Sequence, residues 1–195
     1  MRHRPEHRAY AGRAADEAPV TTLQVAHTAH LDRATRAAAR ALLYDVFDDM
    51  TDVDWEHCLG GVHAVVWEGT DLIGHASLIQ RRLLHGGSAL RAGYVEGVGV
   101  RADRRGRGHG ADMMEALERL VLDAYDVGAL GATDEAAAFY AARGWLRWQG
   151  PTSALTPGGI VRTPEDDGGV YVLPAGARLD LGAELTCDWR DGDTW

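Results

Sequence analysis

Apolar residues follow two different periods along this chain, and the change of period marks its elements. Residues 22–29, "TLQVAHTA", alternate between apolar and polar side chains, as a strand with one buried face does. Residues 32–47 instead space their apolar positions as a helix does, and Asp32 fits the N-cap position at its start. The apolar positions of this helix are Ala34, Ala37, Ala38, Ala41, Leu42 and Val46.

An acidic, glycine-ended stretch over residues 48–61 predicts a loop or a short helix before the next strands. Tight turns are expected at "EGTD" and "HGGS", because glycine supplies the backbone conformations that hairpins need. The later elements are strands over residues 62–67, 72–84, 90–100, 127–132, 169–174 and 183–189, a short strand in "GWLRWQG", and helices over residues 108–125 and 134–143. The first of these two helices is expected to bury Met113, Met114, Leu117, Leu120 and Val121.

This order of elements predicts a single α+β, mixed-sheet domain over residues 21–195. Residues 1–20 carry few core-forming side chains and are expected to form a disordered extension. They also lack an apolar stretch of signal-peptide length, and no run of eighteen apolar residues occurs, so a cytoplasmic protein that neither spans nor binds a membrane is expected.

Charge and residue counts narrow the classes of partner. A net charge of −9 disfavours nucleic acid, which needs a basic face, and favours a cationic or neutral small molecule. The two cysteines, Cys58 and Cys187, are far apart and lack metal-ligand spacing, so they are expected to be reduced thiols. Nine scattered histidines, with no His-x-x-x-His pair on a predicted helix face, are interpreted as structural or surface residues, and no metal is expected.

The stretch "GYVEGVGVRADRRGRGHGADMME", residues 93–115, is the most informative segment. A strand leads through four arginines and several glycines into a helix, and open backbone amides at a helix start bind phosphate. No Gly-Lys-Ser/Thr follows, so it is not a P-loop, and the order of a dinucleotide-binding fingerprint is absent. Taken alone, the segment is also compatible with a flexible basic turn.

In this context the Arg-x-x-Gly-x-Gly/Ala pattern between a strand and a helix resembles the acetyl-CoA-binding motif of the GCN5-related N-acetyltransferase (GNAT) superfamily. The resemblance implies a GNAT domain whose mixed, mostly antiparallel sheet is flanked by helices. It also implies acetyl-CoA as co-substrate, with strand amides on the pantetheine arm and loop amides on the pyrophosphate. The residues to which it assigns these roles are Val98, Val100, Arg105, Gly106, Arg107, Gly108, His109 and Gly110.

Four further segments, "DWEHCLGGVHAVVW", "GYVEGVGVRAD", "FYAARGW" and "CDWRDGDTW", resemble the aminoglycoside 2′-N-acetyltransferases within that superfamily. An aminoglycoside is a polycation, and the many carboxylates of this chain suit such a ligand, although each one alone is also explained as a solvated surface acid. The resemblance implies that the C-terminal carboxylate of Trp195 faces the antibiotic, and it implies a homodimer built on the C-terminal strands. The residues expected to bind substrate are Asp49, Asp54, Glu96, Gly97, Gly131, Asp166, Asp193 and Trp195.

Two side chains are candidates for proton transfer. Glu96 interrupts an apolar strand, and a buried acid is costly unless it is bonded or used, although it could also face solvent. The resemblance implies that Glu96 is the general base, acting through a water, and that Tyr140 is the general acid; a core anchor is the alternative for Tyr140. A strand amide near Val98 would polarise the thioester carbonyl, and transfer is expected to be direct.

Two features leave the acceptor open. The family often has a small hydroxyl residue where this chain has Gly131, and Thr133 is the residue that could replace it. The fold also hosts many acceptors, so an acetyltransferase for another amino sugar or cell-wall amine stays an alternative, as does a non-catalytic aminoglycoside-binding protein.

Overall fold

The computed structural model describes residues 20–195, so the expected disordered extension lies outside the described residues apart from Val20. Ten strands form one sheet in which β6-β9-β5-β4-β3-β10-β7-β8 are neighbours in that order, while β2 pairs with β3 and β1 with β2. The strands are β1 Thr21–His27, β2 Val62–Glu68, β3 Asp71–His85, β4 Ser88–Val100, β5 Val127–Gly131, β6 Leu146–Arg147, β7 Thr152–Thr156, β8 Gly159–Arg162, β9 Val170–Pro174 and β10 Leu185–Asp188.

Helices pack against this sheet, and their starts follow from local chemistry. Asp32 accepts a hydrogen bond from the Thr35 amide at 2.7 Å, which confirms it as an N-cap, and Thr51 with Asp54 forms a capping box on the next helix. The helices are α1 Arg33–Val46, α2 Asp52–His57, α3 His109–Ala124 and α4 Ala137–Ala141. Among the described residues, no helix is long and apolar enough to cross a membrane.

Most strand pairs are antiparallel, and the parallel ones are β4 with β5 and β10 with β7. The turn between β3 and β4 uses Gly86 and Gly87, both at positive φ (55° and 79°), as the glycine-rich turn predicted. The expected mixed α+β sheet flanked by helices is therefore confirmed.

The predicted buried face of α3 is largely confirmed, whereas the apolar positions predicted for α1 are only partly those that the helix buries. Met113, Met114, Leu117 and Val121 are fully buried, and Leu120 packs partly buried against the same core. In α1 the buried residues are Ala39, Leu42 and Leu43, so Leu42 is as expected and Ala38 and Val46 are half-buried. Ala34, Ala37 and Ala41 are exposed, because the larger side chains turn toward the sheet.

Two strands, β7 and β8, were not predicted. Thr152 and Ser153, consecutive residues on opposite faces of β7, are both buried and polar, so no apolar alternation marks the strand. Their hydroxyls donate to the Thr163 carbonyl oxygen at 2.8 Å and to the Glu184 carboxylate at 2.6 Å, which satisfies them in the interior.

Candidate active site

A cleft opens where the parallel strands β4 and β5 separate. They pair only from Ala92–Tyr94 to Val127–Ala129, yet β4 continues to Val100 and β5 to Gly131. The space beyond the last pair has a volume of about 530 Å³, within the usual size of a small-molecule site. Among the residues around it are all the predicted substrate-binding residues: Asp49, Asp54, Glu96, Gly97, Gly131, Asp166, Asp193 and Trp195.

A β-bulge in β4 shapes one wall of this cleft. His75 pairs with Gly99 and Ser77 with Glu96, so two residues of β4, Gly97 and Val98, oppose a single residue of β3. Gly97 has a φ of 56°, and a Cβ there would lie 2.8 Å from the sulfur of Cys58. Only glycine fits both the backbone conformation and the space.

Glu96 lines the cleft instead of facing solvent, and it forms an ion pair with Arg190. Each of the two side chains is only 15% exposed. Burial raises the pKa of the Glu96 carboxyl, while the neighbouring charge of Arg190 lowers it and so opposes that effect. The same guanidinium donates to the main-chain oxygens of Asp193 at 2.6 Å and Trp195 at 3.1 Å, so it fastens the C-terminal segment to the base of the cleft.

Arg190 lines the cleft and pairs with Glu96, and it was not among the residues predicted from the sequence. It lies in the quoted "CDWRDGDTW" segment, but its partner is 94 residues away in sequence. The sequence shows only an arginine among aspartates. Its pairing with the buried Glu96 arises when the C-terminal segment folds back over β4.

Carboxylates dominate the cleft. Burial raises the pKa of Asp166, and the nearby charges of Asp193 and Glu165 add to this effect. Asp54 shares its carboxylate with the capping box, where it accepts from the Thr51 amide at 2.8 Å. The six acids around the cleft, against the single guanidinium of Arg190, are Asp49, Asp54, Glu96, Glu165, Asp166 and Asp193.

Other acids of the acidic segments serve the fold instead. Asp167 accepts from Arg162 at 2.8 Å and from the Thr152 amide at 2.8 Å, and Asp188 pairs with Arg81 at 2.8 Å. Their carboxylates are therefore already engaged away from the cleft.

Trp195 enters the site through its main chain. Its indole is buried at 5% exposure and donates to the Thr163 hydroxyl at 3.0 Å. A Cβ added to Gly131 would lie 3.7 Å from the Trp195 carbonyl carbon and oxygen. The aromatic ring of Trp195 is thus a core anchor, and the main-chain end of the residue borders Gly131.

Tyr140 lines the cleft from α4 and is 6% exposed, while its neighbour Phe139 is half-exposed. Burial raises the pKa of Tyr140 to about 12, with a smaller contribution from Glu118. The phenol therefore keeps its proton at neutral pH. Cys58 also borders the cleft, but burial raises its pKa to about 12, so it stays a thiol and is a poor nucleophile.

The glycine-rich loop lies beyond the cleft, where β4 passes into α3. Gly106 (φ 73°) and Gly108 (φ 91°) adopt left-handed conformations with open space around them, and Gly108 is the N-cap of α3. The first amides of a helix have no partner within it, so those at His109 and Gly110 are available to an anion.

The arginines of this loop divide into two pairs. Arg101 and Arg104 form ion pairs with Asp71, Asp103 and Glu68 and so hold the loop in place. Arg105 donates to the Val100 carbonyl oxygen at 3.1 Å and Arg107 to the Asp103 carbonyl oxygen at 3.2 Å. Within residues 20–195, neither of these two pairs with a carboxylate, so their charges can face a phosphate.

The structure thus brings the predicted residues together as two groups. The substrate and proton-transfer residues surround the cleft, Val98 lies at its wall, and Val100 with the loop lies at the far end of β4. No group of three or more potential metal ligands occurs within the described part of the chain. Both cysteines are buried and unpaired.

Comparison with known proteins agrees with this architecture. Residues 26–147 match the family profile described as an acetyltransferase (GNAT) domain. The chain is 52% identical, over 179 residues, to an aminoglycoside 2′-N-acetyltransferase of Mycolicibacterium fortuitum, covering 89% of this chain and 92% of that protein.

Solved structures share the fold at low identity. A GNAT family N-acetyltransferase of Escherichia coli in complex with CoA superposes with a TM-score of 0.60 at 15% identity, covering 89% of this chain and 93% of that one. An acyl-CoA N-acyltransferase of Pseudomonas aeruginosa gives 0.57 at 17% identity, covering 78% and 99%. The chain is a GNAT acetyltransferase and belongs to the aminoglycoside 2′-N-acetyltransferase family.

Proposed function

We propose that this enzyme transfers the acetyl group of acetyl-CoA to the 2′-amino group of aminoglycosides. The observation that carries the acceptor class is the set of six carboxylates around a cleft with one guanidinium, an environment that stabilises a polycation. The regiochemistry rests on the 52% identical relative, whose name specifies the 2′ nitrogen.

The second group of residues fits acetyl-CoA. Exposed backbone of β4 beyond its last pair with β5, about Val98 and Val100, is suited to the pantetheine arm. The pyrophosphate would lie on the amides of Gly106, Gly108, His109 and Gly110, beside Arg105 and Arg107. A thioester at the Val98 end would then point its acetyl group into the acidic cleft.

Glu96 is the proposed general base. It is buried next to the cleft, and its raised pKa moves it toward neutral pH, where a general base is most effective. Acting through a water, it removes the proton of the acceptor ammonium, and the freed amine attacks the thioester carbon. The Val98 amide donates to the thioester oxygen as negative charge develops there.

Tyr140 is the proposed general acid. As the nitrogen–carbon bond forms and the carbon–sulfur bond breaks, its phenol donates a proton to the departing sulfur, and CoA leaves as the thiol. The second proton that the new amide nitrogen releases then restores the phenol. Its raised pKa keeps the proton available at neutral pH. Because the Cys58 thiol is protonated, direct transfer without an acyl-enzyme is the simpler route.

The chain is also proposed to form a homodimer through its C-terminal strands. β8 ends the sheet and exposes Ile160 and Val161, and Leu155 on β7 is exposed beside them. Apolar side chains on an edge strand favour pairing with another chain. Sedimentation of the wild type and of an Ile160→Glu variant tests this arrangement, and a monomeric wild type would contradict it.

Thiol release from acetyl-CoA with two matched acceptors tests the proposed reaction. Kanamycin B has an amine at the 2′ position and kanamycin A a hydroxyl, so turnover is expected with B and absent with A. Equal turnover with both would overturn the 2′ assignment in favour of another amine.

A second measurement addresses a protein that binds but does not react. Glu96→Gln is expected to abolish thiol release while calorimetry still detects kanamycin B. Wild-type protein that binds the antibiotic without releasing thiol would instead support the non-catalytic alternative.

A further inference from the structure

A chain of buried polar groups runs behind the β4 bulge and ends on it. The Nδ1 atom of His75 lies 2.9 Å from the Gly97 carbonyl oxygen, and its Nε2 lies 2.9 Å from Nδ1 of His63. Nε2 of His63 is in turn 2.7 Å from the Thr28 hydroxyl, which accepts from the Gly60 amide at 2.9 Å. Both imidazoles are fully buried, and the indole of Trp55 packs against them.

The carbonyl oxygen of Gly97, at the end of this series of hydrogen bonds, fixes the direction in which every bond of the series donates. A carbonyl oxygen can only accept, so His75 carries its proton on Nδ1 and its Nε2 is bare. His63 must then donate from Nδ1, which leaves its Nε2 to accept from Thr28. The Thr28 hydroxyl also lies 3.2 Å from the Gly61 carbonyl oxygen, but the contact to His63 is shorter.

Both imidazoles are neutral in this arrangement. Burial lowers the pKa of His63 to about 3 and that of His75 to about 4. Each ring therefore has one donor nitrogen and one acceptor nitrogen, and all four nitrogens are engaged in the hydrogen bonds between Thr28 and Gly97. A neutral relay with a single direction is the result.

The group at the end of this relay belongs to the reaction centre. The Gly97 carbonyl and the Val98 N–H are parts of one peptide unit, and the described chain has no cis peptide. A trans peptide directs its N–H away from its oxygen, so the Val98 amide points away from His75, and Val98 lines the cleft. We propose that His75, backed by His63 and Thr28, is a positioning residue that orients and polarises the Gly97–Val98 peptide for donation to the thioester oxygen. This inference rests on the proposed function for the role of the Val98 amide.

The effect of the relay is electrostatic as well as geometric. Hydrogen bonds linked head to tail polarise one another, by about 10–30% per bond in condensed phases. A peptide whose oxygen accepts such a bond has a more positive N–H. Removing an entire oxyanion donor costs about 100- to 1,000-fold in kcat, so weakening one by losing its relay is expected to cost about 10-fold.

Three substitutions separate this role from a purely structural one. His75→Leu removes the donor to Gly97, and His75→Asn keeps an N–H near the Nδ1 position but breaks the link to His63. His85→Asn is the matched control, because His85 is a buried imidazole that likewise joins an amide, of Asp180, to a carbonyl oxygen, of Glu184, but lies away from the cleft.

We expect kcat to fall about 10-fold in His75→Leu and less in His75→Asn, with the KM for kanamycin B unchanged in both. His85→Asn is expected to keep wild-type kcat even if its melting temperature drops as far. Wild-type kcat in His75→Leu, or an equal loss of kcat in the control, would overturn the inference.

A measurement on the wild-type protein tests the relay without requiring that any variant folds. Nitrogen chemical shifts of labelled histidine should report Nδ1–H with bare Nε2 for both His63 and His75 from pH 5.5 to 8. An Nε2–H tautomer at His75 would overturn the relay. Because this readout needs no acceptor, it still decides whether the relay to Gly97 exists if the wild type acetylates no amine, which would be a failure of the proposed function.

Discussion

Replacing Arg190 by glutamine removes the positive charge that pairs with Glu96. The two groups are in direct contact and each is 15% exposed, so water screens the pair only partly. Two unit charges about 4 Å apart interact by about 4 kcal/mol at an effective dielectric constant of 20. Since one pKa unit corresponds to about 1.4 kcal/mol, losing Arg190 raises the pKa of Glu96 by at most about three units. Water entering the vacated space makes the rise smaller.

The direction in which the pH profile moves follows from the proposed role of Glu96 as a base. Arg190 favours the ionised carboxylate, so its loss leaves burial opposed only by the weaker effect of Arg81 and raises the pKa of Glu96 further. The base is then protonated, and inactive, over a wider acidic range. The acid limb of the profile of kcat/KM against pH should move upward by about one to three pH units, with activity recovering at higher pH.

The assay is thiol release across pH 5–9 with kanamycin B, because kcat/KM reports ionisations of the free enzyme. Arg190→Lys keeps a charge near Glu96 and should move the limb less. Arg91→Gln, which breaks an exposed pair with Asp126 away from the cleft, is the control. An acid limb that stays in place in Arg190→Gln would refute the role of Glu96 as the titrating base.

Three other substitutions test separate parts of the site. Tyr140→Phe should lower kcat about 100-fold or more with little change in either KM, since it removes only the proton donor; unchanged kcat in steady-state assays would exclude it as the acid. Gly97→Ala should lower both the melting temperature and kcat, because φ is 56° and the added Cβ meets the Cys58 sulfur at 2.8 Å; full activity would show that the bulge is not needed. Arg107→Gln should raise the KM for acetyl-CoA and leave that for kanamycin B unchanged, and a change confined to the antibiotic would contradict the placement of the pyrophosphate.

Much of the fold was predictable from local pattern. The cap at Asp32, the hairpin glycines and the buried face of α3 are encoded by neighbouring residues, and the structure has them as expected. The buried face of α1 was only partly predicted, because a run of alanines has little preference for either side and Leu43 is buried together with the expected Leu42. β7 was missed because its buried Thr152 and Ser153 are satisfied by partners distant in sequence.

The site was predictable where one segment holds the chemistry. Glu96 and the glycine-rich loop stand out from their immediate neighbours in the sequence. The expected acids line the same cleft as Glu96. Arg190, His63 and His75 gave no such signal, since their functions depend on partners that only the folded sheet brings near. The histidines were interpreted as structural or surface residues, and their burial in a relay is a property of tertiary packing.

The position of the acetyl group on the product is the decisive test of the proposed 2′ acetyl transfer. Kanamycin B offers several amines to the enzyme, and carbon–proton correlation spectra of the purified product identify the one that is acetylated. A single acetyl group on the 2′ nitrogen is expected. An acetyl group on any other nitrogen, or a mixture of positions, would contradict this expectation.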